Sequence, residues 1–99
     1  MDRQTEAGIG TAGAVLARVR HAFDAGVAAL ARQCADGGRL VNARVDAQQV
    51  AAFEMAWAGA ELLAAENAVA AVAASGPGVD ELDARLALVF TVDAVVAVL

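Results

Sequence analysis

Several residue types are missing or rare in this 99-residue chain, which has no lysine, no tyrosine, one cysteine, one histidine, one tryptophan and three phenylalanines. A single cysteine excludes an internal disulfide and any metal site built from several cysteines. A single histidine leaves too few ligands for a zinc site. Because alanine supplies much of the 60% hydrophobic content, we expect a thin, close-packed helical core.

The charge balance is acidic, with twelve acids against seven basic residues and a net charge of −5. The basic residues are Arg3, Arg18, Arg20, Arg32, Arg39, Arg44 and Arg85. They are scattered along the chain, whereas a nucleic-acid-binding domain normally concentrates them in a patch. The sequence therefore predicts no nucleic-acid partner.

The sequence predicts no targeting or membrane segment. Residues 1–6 are polar and acidic, unlike the basic start of a secretory signal. The longest apolar run is shorter than the roughly 20 residues that span a bilayer, and Asp93 interrupts it. We expect a cytoplasmic protein with no membrane span.

Hydrophobic periodicity predicts an all-α fold with three helices, at about 11–35, 47–74 and 80–98. No segment alternates with period two, so we expect no strands. Residues 1–10 contain two glycines and are predicted to form a flexible lead-in. Short breaks between helices favour antiparallel neighbours, so residues 11–99 should form a single domain, a three-helix up-down-up antiparallel bundle.

Local signals set the predicted helix bounds. Ala35–Gly38 should end the first helix, because glycine suits the left-handed position after a helix. Asp46–Gln49 has the pattern of a capping box and should begin the second helix. Ser75–Gly78 is a strong break. Asp80 should then cap the third helix.

The second predicted helix carries two apolar stripes, one through Phe53 and Trp57 and the other through Leu62 and Val69. Two stripes indicate two neighbours, so this helix should be central. The residues predicted to fill the core are Phe23, Leu30, Phe53, Trp57, Leu62, Leu86 and Phe90.

The stretch Leu86–Leu99 is apolar on all sides, with Asp93 as its one charge. Such a helix must be covered all round. Two further helices cannot easily enclose it, so we expect the bundle to be part of a larger helical assembly. The surface of helix 80–98 should contact either another copy or the remainder of a larger protein. Asp93 should need a polar partner on another helix or chain.

No catalytic, cofactor-binding or metal-binding residue is predicted. His21 follows Arg18 and Arg20 on a helix flank, which favours a solvated position over catalysis. Cys34 continues an apolar stripe and should be a buried small hydrophobe. The glutamates of the second helix have no histidine at the spacing that helical metal sites use, so they should form a polar flank. These glutamates are Glu54, Glu61 and Glu66.

The tripeptide Trp57-Ala58-Gly59 resembles the Trp-x-Gly signature of small secreted helical-hairpin proteins of about this length. In that family the motif lies in the turn between two helices. Here the helical pattern continues through it, which favours a position inside a helix.

A longer series of segments resembles the helical modules of the acyl-CoA dehydrogenase family. The segments are Gly37-Gly38-Arg39, Asp46-Ala-Gln-Gln-Val50, Phe53–Ala65 and Ala84–Ala94, and the likeness covers about residues 15–99. It is greatest to the extra N-terminal helical domain of methylsuccinyl-CoA dehydrogenase-like members. The likeness to the C-terminal four-helix domain of ordinary members is weaker. The resemblance implies a parent flavoprotein, an FAD-dependent oxidoreductase.

The departures from that family imply a segment without its own flavin site. Ordinary members place an Arg and a Phe-Gly pair after the first of these helices, whereas this chain has Cys34–Gly38 there. It also ends before the loop that carries the family's catalytic glutamate. Whether the chain belongs to an enzyme therefore stays open. Two hypotheses follow: a non-catalytic assembly domain of an acyl-CoA dehydrogenase-like flavoprotein, or a free-standing dimerisation module. FAD binding by the chain alone is expected under neither.

Overall fold

Three long helices form the rod-shaped body of the protein in this computed structural model, which describes residues 1–99 except for the side chain of Pro77. They are α1 (Arg3–Cys34), α3 (Gln49–Ser75) and α4 (Glu81–Val98), with a short α2 (Asn42–Ala47) between the first two. At about 1.5 Å per residue, α1 is about 48 Å long. It accounts for most of the longest dimension of the 52 × 19 × 19 Å body.

The helices run up, down and up, as predicted. Thr5 of α1 contacts Glu81 of α4 and Gly8 lies beside Leu88, so these two helices are parallel. Gly13 of α1 lies beside Val69 of α3 and Gly26 lies beside Met55, so α1 and α3 are antiparallel. Each of the three helices packs against the other two.

The predicted flexible lead-in over residues 1–10 is wrong, because α1 already begins at Arg3. The Asp2 carboxylate caps the helix by accepting a hydrogen bond from the Thr5 backbone N–H at 2.7 Å. The Thr5 hydroxyl donates to Glu81 at 2.7 Å, and Ile9 is buried. Long-range contacts therefore hold the first turns in place despite their glycines.

The expectation of no strands is also wrong, because Ala35–Asp36 (β1) pairs antiparallel with Arg39–Leu40 (β2). The helix ends at Cys34, and Ala35 has extended backbone. Gly37 and Gly38 have φ of +60° and +81°. Two successive left-handed residues are what a tight two-residue hairpin turn requires, so these glycines serve the hairpin rather than a helix cap.

The predicted capping box at Asp46 is wrong as well, since Asp46 lies inside α2 and the break comes at Gln48. Two contacts hold α2 against the end of α1. The Arg44 guanidinium donates to the Ala35 carbonyl at 2.6 Å, and the Cys34 thiol donates to the Arg44 carbonyl at 3.6 Å.

The predicted break at Ser75–Gly78 and the predicted cap at Asp80 are confirmed. A 3₁₀ turn covers Gly76–Gly78, and Asp80 caps α4 by accepting from the Leu82 backbone N–H at 3.0 Å.

The core is made mainly of small side chains, and most of the predicted large residues lie outside it. Its buried members are Ile9, Ala12, Leu16, Leu62, Ala65, Val69, Val72, Ala84, Ala87 and Ala94. Of the seven residues predicted there, only Leu62 is fully buried. Phe23 and Leu30 are half-buried, and the other four, Phe53, Trp57, Leu86 and Phe90, are exposed.

The physical reason is the close approach of the helices at their alanines. Ala65, Ala84 and Ala87 are at most 1% exposed. Methyl side chains at a helix interface leave little room for aromatic rings. The stripe through Leu62 and Val69 therefore faces inward, and the larger stripe of α3 faces solvent.

Candidate functional site

The outer face of α4 carries a continuous row of exposed apolar side chains. Its members are Leu82, Leu86, Val89, Val92 and Val96, here called the α4 stripe. Their spacing of three and four residues places them on one helix face. The opposite face of α4, with Ala84, Ala87 and Ala94, is buried against α1 and α3. The two neighbouring helices thus cover one side of α4 and leave the other to solvent.

Exposure along the α4 stripe is high for aliphatic residues. Leu82 is 62% exposed, Val92 63% and Val96 67%. Single exposed aliphatic residues are ordinary on a protein surface, whereas a contiguous apolar patch indicates an interaction site.

A groove borders the α4 stripe on its α3 side and has a volume of about 750 Å³. We call it the acidic groove. Its apolar walls come from Phe53, Trp57, Ala58, Val96 and Ala97, and its carboxylates are Glu54, Glu61 and Asp93. Among the residues that line it there is no arginine. The groove therefore combines an apolar surface with negative charge.

Two exposed aromatic residues line the acidic groove. Phe53 is 69% exposed and Trp57 is 64% exposed. The Trp57 indole N–H donates to the Glu61 carboxylate, one turn later on α3, at 3.1 Å. This hydrogen bond fixes the indole on the surface of the helix. The aromatic face of α3 is thus held in a defined position beside α4.

Asp93 lies at the boundary between the α4 stripe and the acidic groove. It is exposed, so it is not buried among the helices of its own chain, and the expectation of a polar partner on another chain stays a prediction. The reason is its place on the uncovered side of α4, opposite Ala84 and Ala94. Its charge is solvated and is available to a partner on that side.

A second groove, of about 450 Å³, borders the α4 stripe on its α1 side. Its lining is Gly8, Thr11, Ala12, Val15, Leu88, Thr91, Val92, Val95 and Val96, which includes no charged residue. The α4 stripe is therefore flanked by one uncharged and one acidic groove.

The strongest ion pair of the molecule lies away from this face. The Arg20 guanidinium binds both carboxylate oxygens of Glu66, with Nε at 3.1 Å from Oε2, and also contacts Asp24 at 3.3 Å. Hydrogen bonding to Glu66 raises the pKa of Arg20. The predicted polar flank of glutamates is thus divided, because Glu66 joins α3 to α1 whereas Glu54 and Glu61 line the acidic groove.

The two side chains with the greatest chemical reactivity, the histidine and the cysteine, lie where the sequence predicts. His21 is exposed on α1, and Cys34 is a free, buried thiol. Across the described residues, no three side chains of the metal-binding types are grouped to hold an ion. Within the same residues, no helix has the length and apolarity to cross a membrane.

Sequence reasoning missed the exposure of Phe53 and Trp57. A signal for it exists in the sequence, because Glu61 follows Trp57 by four residues and so shares its face of the helix. A face that carries both an aromatic ring and a carboxylate is typical of a partly solvated surface.

The Trp57-Ala58-Gly59 motif lies inside α3, as the helical pattern predicts. Gly59 faces the Phe23 ring, which lies 2.9 Å from where a Cβ would be.

Comparison of the chain with known proteins gives no matching family model, no matching curated protein and no matching solved structure.

Proposed function

We propose that this protein is a helical interaction module that docks another helical element on the outer face of α4. The single observation that carries the proposal is the α4 stripe, five exposed apolar side chains in a row on one helix. The acidic groove and the uncharged groove extend the same surface on either side.

The size of the surface supports this function. The largest apolar patch of a typical soluble monomer is about 300–600 Å² and is often functional. The α4 stripe has five exposed aliphatic side chains in one row, and Phe53 and Trp57 add to it. At about 25 cal/mol per Å², covering such a patch would contribute on the order of 10 kcal/mol before the costs of association.

Two assemblies agree with this function. In one, the module is free-standing and forms a homo-oligomer through α4. In the other, it is the non-catalytic helical domain of an acyl-CoA dehydrogenase-like flavoprotein, and the same face packs on the remainder of that protein, which would hold the FAD. The α4 face is the contact surface in both assemblies, so the position of the contact can be tested before the identity of the partner.

Site-specific photo-crosslinking in the cells that produce the protein tests the position. A photoreactive phenylalanine analogue at Val92 should give a crosslinked product. The same analogue at His21, which is exposed on α1, serves as the control and should give none. Equal crosslinking at both positions, or none at Val92, would contradict the proposal.

A further inference from the structure

We propose that the partner on the α4 face is a second copy of this chain, with the two α4 helices antiparallel and the two-fold axis beside Val89. This inference rests on the proposed function, because it names the occupant of the same surface. Three features of this face support a second copy: the symmetry of the α4 stripe, the charges beside it and the apolar walls of the adjoining acidic groove.

The apolar members of the α4 stripe match one another in this register. In antiparallel pairing about Val89, a residue that precedes Val89 in one copy lies opposite the residue that follows Val89 by the same number of positions in the other copy. Leu82 of one copy comes opposite Val96 of the other, and Leu86 comes opposite Val92. Val89 meets its own counterpart on the axis. Apolar side chains therefore face apolar side chains along the whole exposed row.

The charges that flank the row also match. Arg85 and Asp93 lie four residues before and four residues after Val89, so each Arg85 comes level with Asp93 of the other copy, twice in the dimer. The Arg85 side chain is 67% exposed and its Nε donates to Glu81 at 3.2 Å. A guanidinium has five donors, so it can keep this bond and also bind a second carboxylate. Parallel pairing would instead place Asp93 against Asp93 and Arg85 against Arg85.

The apolar walls of the acidic groove receive apolar side chains in the same arrangement. Its lining has three carboxylates and no arginine. The first turns of α4 from the second copy arrive at the Val96 end of the groove, with Leu82 and Leu86 beside the exposed aromatic residues of α3. Arg85 of the second copy comes level with Asp93 only, at the edge of the groove. An antiparallel copy of α4 therefore complements the groove in apolarity.

A stable protein interface buries about 800 Å² on each partner. The exposed side chains of the α4 stripe, with Phe53 and Trp57 beside them, are the apolar surface that the antiparallel register would cover.

Charge reversal tests the charged pairs through the dimer dissociation constant, measured by sedimentation equilibrium. Arg85→Glu should weaken association by about tenfold or more, because each of two attractive pairs becomes repulsive. Adding Asp93→Arg in the same chain should restore it. Arg39→Glu, in the distant hairpin, makes the same change in net charge and should alter the constant less than about twofold. Circular dichroism of each variant checks that the helices are retained. If Arg85→Glu and Arg39→Glu changed the dissociation constant equally, or if the double variant did not restore association, the pairing of Arg85 with Asp93 would be overturned.

Cysteine crosslinking tests the register, in a Cys34→Ala background whose helicity is verified first. Val89→Cys should form an intermolecular disulfide quickly on mild oxidation, since the two thiols meet at the axis. Leu82→Cys alone should not, because its two copies would be about 21 Å apart at 1.5 Å per residue. Mixed with Val96→Cys chains, Leu82→Cys should crosslink. Fast self-crosslinking of Leu82→Cys would overturn the antiparallel register.

Two sets of results distinguish the identity of the partner from the existence of the interaction surface. If the protein stays monomeric to high micromolar concentration while Val92 still crosslinks to a different protein, the second copy is wrong and the interaction surface stands. If Val92 gives no crosslink and the chain is monomeric, both are wrong.

Discussion

Alanine residues determine which side chains are inside this protein. Ala65, Ala84 and Ala94 are fully buried between the long helices, and among the described side chains Leu62 is the one large residue without any exposure. Close approach of helices at methyl groups gives many weak packing contacts in place of a few aromatic ones. Such a core depends strongly on its few larger residues.

Replacing Leu62 by alanine should therefore destabilise the protein by about 2–5 kcal/mol, because it removes buried surface and leaves a cavity among side chains too small to fill it. Leu63, the next residue on α3, is 53% exposed and provides the matched control. Leu63→Ala should cost less than about 1 kcal/mol. Chemical unfolding followed by circular dichroism measures both. Similar losses from the two variants would contradict the observed inward face of α3.

Thr5 links the start of α1 to the start of α4 and makes that contact sensitive to acid. Hydrogen bonds from the Thr5 hydroxyl and from the Thr5 backbone lower the pKa of Glu81 and Asp2, respectively. A carboxyl whose folded pKa lies below its unfolded value adds stability above about pH 4, and this stability is lost as the pH falls through the folded pKa.

The Thr5→Val variant should have a lower unfolding temperature than the wild type at pH 7, and the difference should shrink below about pH 4. Valine keeps the size of the side chain and removes the hydroxyl that Glu81 accepts from. Thr11→Val, at an exposed position of the same helix, should show no such pH dependence. Thermal unfolding from pH 7 to pH 3 measures the effect. A constant difference across this range would refute the link to Glu81.

At the scale of elements, the sequence predicts the helices whose signals are local. The break at Ser75–Gly78 and the cap at Asp80 depend on residues adjacent in the chain, and both predictions are confirmed. The start of α1 depends on contacts to α4, such as Thr5 with Glu81, which no local signal reveals. The same holds for the inward face of α3, because it depends on where alanines of three helices meet. The acidic groove could not be predicted, because it depends on which face of α3 points outward.

The first turns of α1 should contribute to stability like the rest of the helix. Ile9→Ala should destabilise the protein by about 2 kcal/mol or more, because Ile9 is buried in the core cluster. Val15→Ala, at a more exposed position of α1, should have a smaller effect. Urea unfolding compares the two variants. An Ile9→Ala variant as stable as the wild type would mean that this segment is not packed.

At the scale of the whole molecule, α4 is covered on one side only. Its buried face packs against α1 and α3, and its outer face continues into the acidic groove and the aromatic residues of α3. The apolar character of residues 86–99 predicts from the sequence alone that this part of α4 is covered. The exposed row identifies which face a partner would cover. This division between a buried and an uncovered face is the basis of the proposed function.

Sedimentation equilibrium of the wild type and of Val92→Asp tests this account most directly. Val92 is exposed, so aspartate there should leave the fold intact while it places a charge in the α4 stripe. Leu40→Asp, an equally exposed leucine in the hairpin, is the control. We predict that the wild type and Leu40→Asp sediment at twice the 9.9 kDa chain mass at micromolar concentration, and that Val92→Asp sediments as a monomer. A wild type that remains monomeric at high micromolar concentration, or a Val92→Asp variant that associates as well as Leu40→Asp, would contradict self-association through α4.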